Sequence, residues 1–401
     1  SNTAYNLTVD LGHVEAYNRL AKQIVAQMNP PQFAKRFWGK AKLTDNDMRG
    51  LIQKMGAWIL RGPLDDSEVV FYRGISTTTA AAGGDYGDAV GATIEAMLQS
   101  PRFLYRIENQ NADGSTDYID DYQLASRISY ILWGSPPDAA LMEAASEGEL
   151  SDPDVVARHV SRMMADDRAI VRSKDFLSQW LNLNHLRSLN PDSNRFPNWD
   201  DTLAEQMREE TLAFFQHVVW EERQSLAKLL DAQVTFCSAE LARHYGMEPL
   251  GSGIQKYDLS DVSERGGLLT QGSLLTIGGD DASMVTRGLF VLNQLLRGVV
   301  NDPPPCVDTT PVATKAGVTA RTIAQARLDN EACGGCHLRF EPLAFGLEKY
   351  NGLGSFHEID EHKNQLREDG NVLVPGTADP IEFKNSKQLM HLLASSDRVQ
   401  E

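Results

Sequence analysis

The sequence predicts a mainly α protein: a multi-helical array followed by a small C-terminal domain. Three observations lead there. Apolar residues recur at helical spacing through most of the first 300 positions, the recurrences are punctuated by capping residues and prolines, and a Pro-rich break precedes a last quarter richer in glycine and turns. At 401 residues, with 42% hydrophobic and 23% charged residues, the chain is a globular protein of more than one core.

Near the start, Leu20, Ile24, Val25 and Met28 form a one-sided stripe over 14–28 that stops at Asn29-Pro30-Pro31. A second helix is expected over 44–60, with Leu51, Met55 and Trp58 on one face, and a third begins at Pro63 or Asp65. The small, polar run 76–84 reads as a loop before a helix over 88–99. Residues 101–119 read as extended around Phe103 to Ile107, then as a polar surface loop. Helices are expected over 121–132, 138–147, 152–165, 168–182, 200–220, 223–230 and 237–245. A Gly-rich stretch ending in Gly278-Gly279-Asp280-Asp281 precedes an apolar helix over 285–299. Pro303-Pro304-Pro305 is a stiff polyproline II linker, rising about 3 Å per residue, and marks the main boundary. After it a helix is expected over 319–332. The expected organisation is 1–119, 120–250, 251–305 and 306–401.

Charge and targeting narrow the partners. Lys plus Arg number 38 against 55 Asp plus Glu, a net charge of −17, which repels phosphate backbones and anionic lipid surfaces, so nucleic acid is not expected. No run of about 20 apolar residues occurs, so membrane insertion is not expected either. The chain opens SNTAYNLTVDLGHVEAYNRL, without a basic segment leading into an apolar one, and leaves the compartment to be read from its cysteines.

Two of the four cysteines stand three residues apart with a histidine directly after the second: Cys333, Cys336 and His337. Covalent haem attachment needs two thiols about one helical turn apart to reach both vinyl groups, and an imidazole beneath the iron. Gly334 and Gly335 keep the intervening backbone slim against the ring edge. A dithiol redox pair and half of a zinc site share the spacing. The first wants a strand before the motif, where this chain has a helical, charged stretch; the second wants another ligand pair, and no second Cys-x-x-Cys or His-x-x-x-His occurs. Haem c is the expected cofactor, with Cys333 and Cys336 holding the porphyrin and His337 the iron.

Other strings carry a resemblance. SPRFLYRIE from Ser100, LASRISYILWGSPPD from Leu124, RGGLLTQGS from Arg265, Arg287-Gly288 before the proline run, and EPLAFGLEKYNGLG from Glu341 occur in that order around the motif. The chain from about residue 45 resembles the planctomycete-type multidomain haem c proteins, whose tandem domains of unknown function end in a cytochrome c-like Cys-x-x-Cys-His segment. It departs from that pattern at Met284, where the family has a proline, and at Glu341-Pro342, where the family has Asp-Pro; it also ends at Glu401, short of the family's usual C-terminal extension.

The resemblance implies an exported protein, periplasmic or extracellular, whose start reflects processing or trimming, and a cytochrome c-like domain over 306–401. In an oxidising compartment the remaining cysteines suggest a disulfide, Cys237–Cys306. Arg265 and Arg287, each before Gly in the shared strings, could pair with haem propionates or serve a buried carboxylate. A sixth iron ligand separates electron transfer from substrate chemistry. Met390 is the first candidate, with a place in an amphipathic helix core as its alternative; Met284, His357, His362 and His391 come after it. The Gly278–Asp281 turn and the pairs Glu209-Glu210 and Asp120-Asp121 read as caps or helix surface, and Trp133, Trp180, Trp199 and Trp220 as core. The expected function is electron transfer or haem-dependent oxidoreduction with a redox partner protein or a small-molecule substrate. A peroxidase- or oxygenase-like enzyme with an open distal site, and a binding module with structural haem, are the alternatives.

Overall fold

The computed structural model describes residues 9–39, 45–108, 119–303, 310–374 and 377–400. Helices hold 58% of the chain against four short strands among the described residues, so the mainly α class holds. The chain divides into two compact units, Ser1–Arg172 and Ser173–Glu401.

In the first unit, capping sets the helix starts. Asp10, Asp65 and Asp85 each accept the N–H three residues on at the heads of Leu11–Gln27, Asp66–Ala81 and Tyr86–Leu98. Leu51, Ile52 and Met55 of Asp45–Ile59 bury one face against Val69, Tyr72, Ile94 and Met97 of the latter two helices. Two expectations fail here. The run 76–84 is helical to Ala81, because Ser76 and Thr79 return their hydroxyls to the carbonyls of Arg73 and Ile75 (2.9 and 3.0 Å), so small polar residues continue the helix. Residues 101–104 form a short helix capped by Ser100, not an extended segment, and Arg61 gathers the carbonyls of Arg102, Phe103 and Tyr105 beside it. Further on, Trp133 donates to Met163 O (2.9 Å) under the Arg168 guanidinium, which ties Asp121–Leu132 to Pro153–Met164.

In the second unit two expected helices change character midway. Asp201–Phe215 widens into a π turn over Gln216–Glu221, and Met284–Phe290 into another over Val291–Leu295. The second ends at Leu296, where Arg297 turns to positive φ (51°), so the helix does not reach 299. The helix expected over 223–230 is one turn, Lys228–Asp231, and that over 237–245 is shortened to Ala239–His244 by a strand, Val234–Cys237. This strand pairs antiparallel with Gln255–Asp258, Val234 opposite Asp258; Gly370–Val372 pairs likewise with Ile381–Phe383. One apolar core runs from Leu177 to Ala394 and includes Phe214, Leu274, Phe290, Phe340, Leu343, Tyr350, Leu389 and Met390, so residues on both sides of the proline run share it.

Candidate functional site

Two helices and a tight turn assemble the Cys-x-x-Cys-His segment. Ala320–Leu328, boxed by Thr319 and Thr322, stops short of the expected 332, because Asn330 starts a separate helix by accepting the N–H groups of Ala332 (2.9 Å) and Cys333 (3.3 Å). That helix, Glu331–His337, places Cys333 and Cys336 one turn apart. A 3₁₀ turn, Glu341–Leu347, comes next, and all seven of its residues are buried.

The motif helix itself buries none of its residues, and Leu338 beside it is 51% exposed. Both thiols are free, Cys333 half-buried and Cys336 exposed. The two glycines serve different ends. A Cβ on Gly334 would lie 2.4 Å from Leu328 O, so this position is the close approach to the preceding helix, whereas a Cβ on Gly335 would meet nothing within 4 Å. The backbone at Gly335, between the two thiols, is therefore open. Among the described residues no three His, Cys, Asp or Glu side chains come together.

Behind the imidazole stands a carboxylate. His337 Nδ1 lies 3.4 Å from Glu341 Oε2, and the Phe340 ring packs 4.9 Å from the imidazole. Glu341 is fully buried, and Arg327 grips its other oxygen, Oε1, through Nη2 and Nε (3.0 Å). Nδ1 of His337 and Oε2 of Glu341 are both buried without a hydrogen-bond partner. The motif alone assigns no role to Arg327 or Glu341. The i,i+4 offset from His337 to Glu341 is the one signal of the pairing in the sequence, since it brings two side chains to one side of a helical path.

The other expected site residues bind backbone, pack into the core or face other side chains. Arg287 is wholly buried and donates to the carbonyls of Leu275 (Nε 3.3 Å, Nη2 2.9 Å), Leu347 (3.0 Å), Tyr350 (2.9 Å) and Asn351 (2.6 Å). Burial pulls its pKa down to about 10, which still leaves it cationic at neutral pH. Arg265 donates to Thr270 O (2.8 Å) and Gly354 O (2.5 Å) with its guanidinium 3.7 Å from the Tyr245 ring centre. Both arginines thus bind backbone around 347–354. Met390 is buried on Ser386–Ala394 and Met284 is buried at the head of its helix. His391 faces Asp231 (3.1 Å), His357 faces Asn351 (3.1 Å), and His362 stands 3.8 Å from Glu361. Cys237 is buried beside Glu210, while Cys306 lies outside the described residues and the expected disulfide with it. Asp280 and Asp281 of the Gly-rich turn bind Arg195. No helix among the described residues is long and apolar enough to cross a membrane.

Three family models match the chain in series. Residues 47–108 match PSD5, a protein of unknown function (DUF1595); residues 119–247 match PSD4 (DUF1592); and residues 265–360, which contain the Cys333–His337 segment, match PSCyt3 (DUF1588). No curated protein and no solved structure matches. The three domains in tandem are the signature of the planctomycete-type cytochrome c-like multidomain proteins.

Proposed function

We propose that the protein is an exported c-type haem protein acting in electron transfer or haem-dependent oxidoreduction. The observation that carries this is the motif helix: two free thiols one turn apart and an adjacent imidazole on a helix with no buried residue, followed by a fully buried turn, Glu341–Leu347. Cys333 and Cys336 would form the thioether links and His337 would hold the iron axially. Bound haem supplies a metal that changes oxidation state by one electron, with a potential set by its axial ligands and their hydrogen bonds. The protein's part is to fix the ring edge with the two thiols, orient the imidazole against Phe340 and Glu341, and present the acidic surface to a partner.

The test is direct. Produced with a haem-attachment system, the chain should gain the mass of one haem and show a Soret band; Cys333→Ala with Cys336→Ala should lose both. A protein without added mass and without a Soret band overturns the reading. Spectra of the reduced protein with and without carbon monoxide then separate its two forms. A low-spin spectrum indifferent to carbon monoxide identifies an electron carrier, and carbon monoxide binding identifies an open distal site suited to peroxide or oxygen.

A further inference from the structure

The pairing of His337 with Glu341 goes beyond a place to attach haem, although its consequence for the metal rests on that haem reading. A metal-bound histidine ordinarily donates its second ring N–H to an acceptor, and the strength of that acceptor tunes how much electron density the ring gives the metal. Here the group facing Nδ1 is a carboxylate oxygen 3.4 Å away. Both atoms are buried and neither has a hydrogen-bond partner, so one bond between them would satisfy two groups that otherwise stay unpaired.

Glu341 has little freedom to turn away. It opens a fully buried 3₁₀ turn. The helix Met284–Phe290 presses on that turn so closely that a Cβ on Gly288 would lie 2.1 Å from Phe340 O and 3.2 Å from Glu341 N. Arg327 takes Oε1, which leaves Oε2 to His337. A carboxylate used only to bind Arg327 would have no reason to keep its second oxygen buried against an imidazole. The arginine also sets a positive charge beside that buried carboxyl group.

We infer that Glu341 is a positioning residue for the axial imidazole: its Oε2 accepts the Nδ1–H of His337, which leaves Nε2 as the metal-binding atom and makes the ring an electron-rich ligand. An electron-rich ligand stabilises ferric over ferrous iron, so a haem bound through His337 would have a lower potential than one whose histidine donates to a backbone carbonyl.

Glu341→Gln keeps an oxygen for Arg327 and turns an amide donor toward His337. In the haem-free full-length protein, nitrogen NMR of His337 should show the proton on Nδ1 in the wild type and on Nε2 in Glu341→Gln. In the haem-loaded protein, the midpoint potential of Glu341→Gln should lie above that of the wild type. A wild-type His337 protonated on Nε2 overturns the proposal without recourse to any variant, and so does an unchanged potential in a folded, haem-bearing Glu341→Gln. A wild type that takes up no haem on Cys333 and Cys336 overturns the haem reading itself, a failure visible by mass before any potential is measured.

Discussion

Glu210 and Glu341 are both fully buried carboxylates of the second unit, and their surroundings use them differently. Glu210 Oε1 accepts the Thr235 hydroxyl (2.5 Å), and Oε2 accepts the Tyr245 hydroxyl (2.6 Å), which itself accepts the Gly272 N–H (2.7 Å). Cys237 Sγ stands 3.9 Å off. Every acceptor there is occupied, and the cluster ties the helix Asp201–Phe215 to the strand Val234–Cys237 and to the Gly272 turn. Glu341 instead has a cation on one oxygen and an unpaired imidazole nitrogen before the other. Glu210 thus completes hydrogen bonds on both oxygens, and Glu341 on only one.

The Glu210 cluster is also shifted in its protonation. Burial pushes Glu210 up to about 7, against the hydroxyl donors and Arg265, which favour the charged form, and it pushes Tyr245 and Cys237 upward as well. Glu210 therefore needs no countercharge in the neutral form. Glu341 has Arg327 as its partner.

The sharpest way to break the comparison is Arg327→Met, which leaves the Glu341 carboxylate buried without its cation. Denaturant unfolding should show a loss of about 3–5 kcal/mol. A loss below about 1 kcal/mol would mean that Glu341 does not depend on this ion pair. Tyr245→Phe attacks the other cluster by removing the donor to Glu210 and the acceptor of Gly272 N–H, and should lower stability by about 1–3 kcal/mol in the same assay.

Glu210 also makes a pH prediction. Its folded pKa lies above the ordinary 4.5, so the native state holds the proton more tightly than the unfolded chain does. Its contribution is fully present below about 4.5 and is lost as pH rises through about 7. Glu210→Gln, neutral at every pH, should remove that component, so the gap between variant and wild-type stability changes across this window in favour of the variant as pH rises; parallel profiles would refute the assignment. The smallest effect belongs to the surface. Arg195 pairs with Asp280, Asp281 and Glu361 in partly solvated positions, and Arg195→Ala should cost less than about 1 kcal/mol by thermal or denaturant unfolding.

Much of the helical architecture is legible locally, because capping acids, prolines and apolar stripes act within a few residues of where they stand. Asp65, Asp120 and Asp200 stand at expected helix starts that the structure shows, whereas the first helix begins at Leu11 behind Asp10, ahead of the expected 14. The departures have nonlocal or competing causes. Val234–Cys237 becomes a strand because Gln255–Asp258, some twenty positions on, supplies its partner, and 76–81 stays helical because hydroxyls that can end a helix bond back into it here. At the site, the cysteine spacing and the adjacent histidine are plain in the sequence. The carboxylate behind His337 is marked in the sequence only by its i,i+4 offset; its burial against the imidazole comes from packing.

The linear order of residues by itself determined the mainly α class, the spacing of two thiols and an adjacent imidazole, and the acidity that disfavours anionic partners, since all three depend on short-range spacing or on sums. Tertiary structure decided the rest. Arg265 and Arg287 bind backbone carbonyls around 347–354, and Met390 sits in a core built from both sides of the proline run. Above all, packing against Gly288 and Arg327 sets Glu341 Oε2 before His337. Each outcome depends on desolvation, and a side chain loses its water only when distant segments close over it.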